Sequence, residues 1–157
     1  MDVVLRPVMP TDVVAFFPHW IDPRSRHQAA FVDATPPDRA AFDARWARIL
    51  ADPANVNRTI LVDGTIAGHV AGFPLHGRPN VTYWLGREWW GRGVATRALR
   101  LFLAEHRERP LFASAAADNA GSIRVLEKCG FRRVGTTRGE AGARGGVIDE
   151  ALFELRS

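Results

Sequence analysis

Two segments of the chain combine small residues with polar side chains in a way that suits phosphate and thioester chemistry. The first is a glycine loop at residues 89–96, which follows a strand-like segment at residues 81–85 and leads into an amphipathic helical pattern. A helix that begins at such a loop exposes several unpaired N–H groups at the positive end of its dipole, where anions bind. The sequence therefore predicts a phosphate-binding loop, with an ordinary tight turn before a helix as the alternative.

The second segment, residues 119–131, lies one helix and one strand further along the chain. It places Asn119 and Ser122 at the start of another helical pattern, and Gly130 at its end. An amide and a hydroxyl at this position are suited to contact a polar cofactor arm. The structural alternatives are that Asn119 caps the helix and that Ser122 faces solvent.

Together, the two segments and their spacing resemble motifs A and B of the GNAT superfamily of acetyl-CoA-dependent N-acetyltransferases. The pyrophosphate loop of that family reads Gln or Arg, x, x, Gly, x, Gly or Ala, which falls here on Trp90, Gly93 and Ala95. Trp90 departs from the first position. This departure, and the run of residues 125–131, are similar to the branch of ribosomal-protein alanine acetyltransferases. The motif match covers residues 81–134, and a looser similarity of element order covers nearly the whole chain.

The resemblance implies direct transfer of an acetyl group from acetyl-CoA to an amine, either a small molecule or a protein N-terminus, without a metal. It implies Asn119, Ser122 and Tyr83 as candidate catalytic residues. It also implies a set of cofactor contacts: Trp84, Leu85, Arg87, Trp90, Gly91, Arg92, Gly93, Val94, Ala95, Thr96, Asn119 and Ser122. Side chains of Arg92 and Arg97 are expected to add charge-assisted contacts to phosphate.

The resemblance leaves the proton chemistry open. Many members carry a motif-B Tyr that protonates the leaving thiolate, and that position is Leu126 here. Many also place a Glu on the central strand as a base, and this strand has none. Candidates nearby are Tyr83, His69 and His76, each of which has a packed ring or a surface position as its alternative. The acid stays open among Ser122, a water molecule and the substrate ammonium. The vacant position favours the alternative function, a non-catalytic acyl-CoA-binding module.

The order of the predicted strands and helices indicates an α+β fold in a single domain of residues 1–157. We expect a mixed, mostly antiparallel central sheet flanked by helices, which must position these residues. A dinucleotide fold fits poorly because its fingerprint requires a third glycine after Gly91 and Gly93, and this loop has none. Pro18 argues for an early end of the first helix, and residues 22–35 carry no clear pattern. Strands are expected at residues 3–6, 59–62, 65–70, 81–85, 111–116, 132–137 and 147–155, and helices at 12–20, 38–51, 94–107 and 120–129.

The charge and the apolar content of the chain limit the kinds of partner that we expect. The net charge is +4 and the basic residues are nearly all arginines, but these are interleaved with acids and form no basic arm. We therefore expect no nucleic-acid partner, although the pI of about 10.5 is the one feature that would favour one. The chain shows neither an apolar run long enough for a bilayer nor a signal peptide, so we expect a cytoplasmic monomer or homodimer without a membrane partner. The lone Cys129 is expected to be a packed hydrophobic residue.

Overall fold

The computed structural model describes residues 1–157, and its elements follow the predicted order with one additional helix. The strands are β1 (Val3–Pro7), β2 (Val56–Val62), β3 (Thr65–Leu75), β4 (Arg78–Leu85), β5 (Leu111–Ala116), β6 (Arg132–Ala141) and β7 (Gly146–Leu155). The helices are α1 (Asp12–Ile21), α2 (Pro23–Ala29), α3 (Arg39–Ala51), α4 (Val94–Glu105) and α5 (Ala120–Lys128). A short 3-10 turn, Arg87–Trp89, connects β4 to the glycine loop.

All seven strands form one sheet in the order β1-β2-β3-β4-β5-β7-β6. Every neighbouring pair is antiparallel except β4 and β5, which are parallel. The turn Asp63-Gly64 joins β2 to β3 as a tight hairpin, with both residues at positive φ. The predicted mixed, mostly antiparallel sheet is thereby confirmed.

The two faces of the sheet are covered by different helices. On one face, α4 buries the predicted apolar stripe against the sheet: Val94, Ala98, Leu99, Phe102 and Leu103. On the other face, α1 and α3 form a small aromatic cluster around Phe16, Phe42 and Trp46. No helix of the structure combines the length and the apolar composition that a bilayer crossing requires.

The first helix ends one residue beyond its predicted range of 12–20, and a further helix follows it. Pro18 lies inside α1, and the helix continues to Ile21. An interior proline costs about 3 kcal/mol, but the last turn is stabilised by tertiary contacts. The Trp20 ring lies 4.2 Å from that of Trp84, and the Trp84 indole N–H donates to the His19 carbonyl at 3.0 Å. Residues without a clear pattern form α2, whose N-terminus is capped by the Asp22 carboxylate.

Candidate active site

The sheet opens between its two parallel strands. β4 and β5 pair only at Asn80 and Phe112, and they diverge beyond that point. In an antiparallel ladder, the backbone groups of successive residues point alternately toward and away from the neighbouring strand. The Gly86 N–H donates to the Ala67 carbonyl on β3. The backbone groups of Leu85 and Tyr83 therefore point away from β3, into the opening. The opening therefore presents free backbone N–H groups at the end of the central strand.

The glycine loop lies at the same end of β4. Gly91 and Gly93 have φ of 70° and 77°, which favours glycine. None of the N–H groups from Gly91 to Thr96 makes a hydrogen bond within the protein, and the first bond of α4 is donated by Arg97 to the Gly93 carbonyl. A Cβ added at Gly93 would meet no protein atom within 4 Å. Six consecutive donors without a protein acceptor thus lie at the positive end of a helix, which fits a diphosphate.

One cavity of about 1100 Å³ joins the opening to the glycine loop. Every predicted cofactor contact except Arg87 and Arg92 lines it. Hydrogen bonds fix the orientation of two of these residues. The Trp90 indole N–H donates to the Leu85 carbonyl at 3.1 Å, so it connects the loop to β4. Trp84 turns its indole toward α1, on the opposite face from α4, and its backbone groups face β3.

Within the protein, the arginines expected to contact phosphate make other interactions. Arg87 pairs with Asp22 at 3.3 Å, and Arg92 stacks on Trp89. Arg97 donates to the Met1 carbonyl at 2.6 Å, away from the cavity. Two cations that the sequence reading missed, Arg124 and Lys128, line the cavity from α5 without a carboxylate partner: the ion pairs of the structure involve other residues.

Two hydroxyl groups meet in the opening. Tyr83 Oη on β4 lies 3.1 Å from Ser122 Oγ on α5. Burial raises the pKa of the Tyr83 phenol, although the hydrogen bond to Ser122 acts in the opposite direction, so the phenol keeps its proton at neutral pH. Leu126, one turn after Ser122, is 3% exposed and belongs to the core. The phenol that contacts α5 thus comes from β4, because the helix itself carries a leucine at position 126.

Asn119 caps α5. Its side-chain oxygen accepts from the Ser122 N–H at 3.2 Å, and its amide nitrogen donates to the Gln28 carbonyl at 3.3 Å. The residue lines the cavity, but both ends of its side chain have protein partners. Asn119 therefore fixes the start of α5, and with it the position of Ser122, relative to α2.

The part of the cavity between the sheet and α1–α3, here called the acceptor compartment, is walled by aromatic rings: Trp20, Phe31, Phe42, Trp46, Phe73 and Trp84. His69 lines it from β3 and packs against the rings of Phe16 and Trp46. Burial, with repulsion from His19 and Arg45, lowers the pKa of His69 to about 3. A group this weakly basic is a poor base for an ammonium, and His76 lies in the distant β3–β4 turn, outside the cavity.

The acceptor compartment has one carboxylate without a cation partner. Glu150 of β7 lines the cavity, and its Oε2 accepts from Ser114 Oγ of β5 at 2.9 Å. The other carboxylate on the wall, Asp118, is paired with Arg144 at 2.7 Å. Sequence reasoning missed Glu150 because it searched the central strand for an acid. The strand order places β7 beside β5, one strand further from the opening.

Comparison with known families gives one match that covers most of the chain. Residues 2–132 match the family model for the acetyltransferase (GNAT) domain. A Bacillus licheniformis protein named as the uncharacterized N-acetyltransferase p20 is 32% identical over 85 residues, which are 51% of this chain and 47% of that protein. The chain therefore spans about half the length of this curated relative.

Solved structures share the whole fold. RimJ from Mycobacterium smegmatis, in complex with CoA-disulfide, has a TM-score of 0.80 at 23% identity, over 99% of this chain and 82% of that one. A phosphinothricin acetyltransferase from Sinorhizobium meliloti, in complex with AcCoA, has a TM-score of 0.82 at 18% identity, over 99% and 89%. At this level of identity, the likeness shows a common architecture.

Proposed function

The chain belongs to the GNAT family of acetyltransferases, and on that premise we propose that it transfers an acetyl group from acetyl-CoA directly to an amine. The observation that carries the proposal is the continuity of one cavity from the unpaired N–H groups of the glycine loop to the opening between β4 and β5. The loop suits a diphosphate, and the opening suits an extended arm with hydrogen-bonding groups along it.

The residues around the loop would hold coenzyme A by its phosphates. The N–H groups of residues 91–96 would donate to the diphosphate, as they have no partner within the protein. Arg124 and Lys128 would supply positive charge from the neighbouring helix. Asn119 would contribute by positioning Ser122, which faces the far end of the arm.

Acetyl-CoA supplies the acetyl group as a thioester. The N–H groups of Tyr83 and Leu85 would donate to its carbonyl oxygen in the opening between β4 and β5, and such donors stabilise the negative charge that develops there. As the bond from the amine nitrogen to the acetyl carbon forms, the carbon–sulfur bond breaks and a thiolate leaves. The cavity brings the two reactants together and so removes much of the entropic cost of their encounter.

Two groups would manage the protons. The Glu150 carboxylate would bind the acceptor ammonium and receive its proton, because it is the carboxylate of the acceptor compartment that has no cation partner. The hydroxyl pair of Tyr83 and Ser122 would protonate the thiolate from the other side of the opening. The phenol is suited to this role since its raised pKa keeps it protonated.

The alternative is a module that binds acyl-CoA without turnover, which the leucine at position 126 favours. An assay of acetyl-CoA consumption with a panel of small amines and peptides separates the two functions. We expect amine-dependent consumption, with a strong loss in Tyr83→Phe. Binding of coenzyme A with no consumption for any amine would support the module instead.

A further inference from the structure

The tip of the β6–β7 hairpin packs against one wall of the acceptor compartment. The tip is the 3-10 turn Gly142–Arg144, and the wall is the segment of residues 30–34 that follows α2, here called the acceptor wall. Phe31 and Val32 of this segment line the cavity, whereas the residues of the tip do not. The acceptor wall contains no helix or strand, so its position depends on its contacts with neighbouring elements.

Two backbone contacts join the acceptor wall to the tip. The Ala143 N–H donates to the Ala30 carbonyl at 3.2 Å. At Gly142 the two backbones are so close that an added Cβ would lie 2.7 Å from the Ala34 nitrogen and closer still to the Val32 carbonyl oxygen. Because both of these atoms belong to the backbone, a side chain at position 142 would displace the acceptor wall.

Arg144 extends this network to α5. Its side chain is only 11% exposed, and its Nε donates to the His27 carbonyl, in the last turn of α2, at 2.6 Å. Its two terminal nitrogens donate to the Asp118 carboxylate at 2.7 and 2.9 Å, in the bidentate geometry that makes such pairs strong. Asp118 directly precedes Asn119, which caps α5 at the Ser122 N–H. One guanidinium thus fixes both the end of α2 and the start of α5.

A second arginine of the same hairpin makes a simpler ion pair. Arg138 of β6 donates to Asp149 of β7 at 2.9 Å, both side chains are more than half exposed, and neither residue lines the cavity. An exposed pair of this kind contributes little to stability and contacts no part of the site. Arg144 also lies outside the cavity, but it is bonded to two elements that border it.

We propose that Gly142 and Arg144 are positioning residues for the acceptor amine, because the tip of the hairpin holds the acceptor wall and the start of α5 in one fixed arrangement around the opening. This inference rests on the proposed acetyl transfer. Neither residue contacts a reactant: Gly142 acts through the acceptor wall, and Arg144 acts also through Asp118 on Ser122. Acetyl transfer is sensitive to such support, since a displacement of about 1 Å can lower a rate by about 100-fold.

The test compares two variants with matched controls from the same hairpin. Gly142→Ala introduces the clash with the acceptor wall, and Gly146→Ala adds the same methyl group where no atom lies within 4 Å. Arg144→Met removes the guanidinium but keeps an apolar stem, and Arg138→Met does the same to the exposed pair. Three properties are measured for each protein: steady-state kinetics with an amine that wild type acetylates, the rise of Tm with coenzyme A, and amide hydrogen exchange of residues 27–34 and 119–122.

We expect Gly142→Ala to raise KM for the amine by about tenfold or more with kcat nearly unchanged, because only the acceptor wall is displaced. Arg144→Met should also lower kcat, since the start of α5 that carries Ser122 loses its anchor, and hydrogen exchange should accelerate in both segments. The rise of Tm with coenzyme A should persist in both variants, because the glycine loop lies outside this network. Both controls should resemble wild type.

Unchanged kinetics in either Gly142→Ala or Arg144→Met, or an equal loss in its matched control, would overturn the inference while acetyl transfer stands. Loss of the rise of Tm with coenzyme A would also overturn it, because the effect would then lie at the cofactor. If Arg144→Met does not fold, Arg144→Lys takes its place under the same criteria, as lysine keeps the charge but lacks the bidentate fork. Absence of transfer by wild type to every amine would instead overturn the proposed function, and this inference with it.

Discussion

Gly93 offers the most controlled test of the phosphate-binding loop, because the chain contains a matched control. Gly93 has φ +77° and Gly77, in the β3–β4 turn away from the cavity, has φ +74°; a Cβ added at either would meet nothing within 4 Å. A side chain in this conformation costs about 1–2 kcal/mol. For Gly93→Asp, the carboxylate at the positive end of α4 offsets about 0.3–1 kcal/mol of that cost. Both variants should therefore remain folded, with the Gly77→Asp apo protein destabilised at least as much.

Coenzyme A should separate the two variants. At a concentration of 100 times Kd, a ligand stabilises the fold by about 2.7 kcal/mol, which for a chain of this size raises Tm by about 5–11 °C. Wild type and Gly77→Asp should show this rise. Gly93→Asp should not, because its Cβ fills the space in front of the free N–H groups and its charge repels phosphate. The measurement is thermal unfolding of the three proteins with and without coenzyme A.

Two results would refute the reasoning about the loop. One is a full rise of Tm in Gly93→Asp, which would place the phosphates elsewhere. The other is an equal loss of the rise in both variants, which would trace the effect to general destabilisation.

Four further predictions follow from the site and the core. The rate of acetyl transfer should rise with pH and show no falling limb between about pH 8 and 9.5, because burial raises the pKa of Tyr83. Tyr83→Phe should lower kcat about 100-fold. A falling limb in that pH range would contradict the assignment of Tyr83 as the acid. Leu126→Tyr should cost about 1–3 kcal/mol by overpacking the core, and a faster enzyme would show that the helix position still matters. Asn119→Ala should lower stability by about 1 kcal/mol through loss of the cap while the coenzyme-induced rise of Tm persists; its loss would indicate a direct cofactor contact. Burial raises the pKa of the Asp12 carboxyl, but hydrogen bonds from Arg6 and other donors outweigh burial and lower this pKa overall. The contribution of Asp12 to the free energy of unfolding should therefore be complete above about pH 4 and disappear as pH falls through its lowered pKa in the folded state. Urea unfolding of wild type and Asp12→Asn at a series of pH values would measure it.

The sequence predicts correctly those parts of the fold that depend on residues close together in the chain. The Asp63-Gly64 turn and the stripe from Val94 to Leu103 depend on residues close together in the chain, and the structure places both as expected. The predicted end of α1 is correct to one residue, although Pro18 argued for an earlier end; the contacts that outweigh the cost of Pro18 come from Trp84, more than sixty residues away. Helix α2 shows no apolar period to recognise, and it begins at an Asp-Pro pair within a polar stretch.

The candidate site likewise has features that neighbouring residues in the sequence predict and features that only tertiary packing determines. The glycine loop was predictable because its conformation is encoded by adjacent residues. The direction of side chains was not: Arg97 was expected to contact phosphate, but it donates to Met1 because α4 packs beside β1. Glu150 and Glu154 lie on the same face of β7 and are both half-buried, and only the strand order shows which of the two lies on the cavity wall.

The central claim is that the cavity joins acetyl-CoA to an amine and moves the acetyl group between them. Its most direct test is the stoichiometry of one reaction mixture, with coenzyme A thiol measured by a colour reagent and the acetylated amine by mass spectrometry. We expect one acetylated amine for each thiol released, and we expect Gly93→Asp to lose both products together. Thiol release without an acetylated amine, or tight binding of acetyl-CoA with neither product, would contradict it.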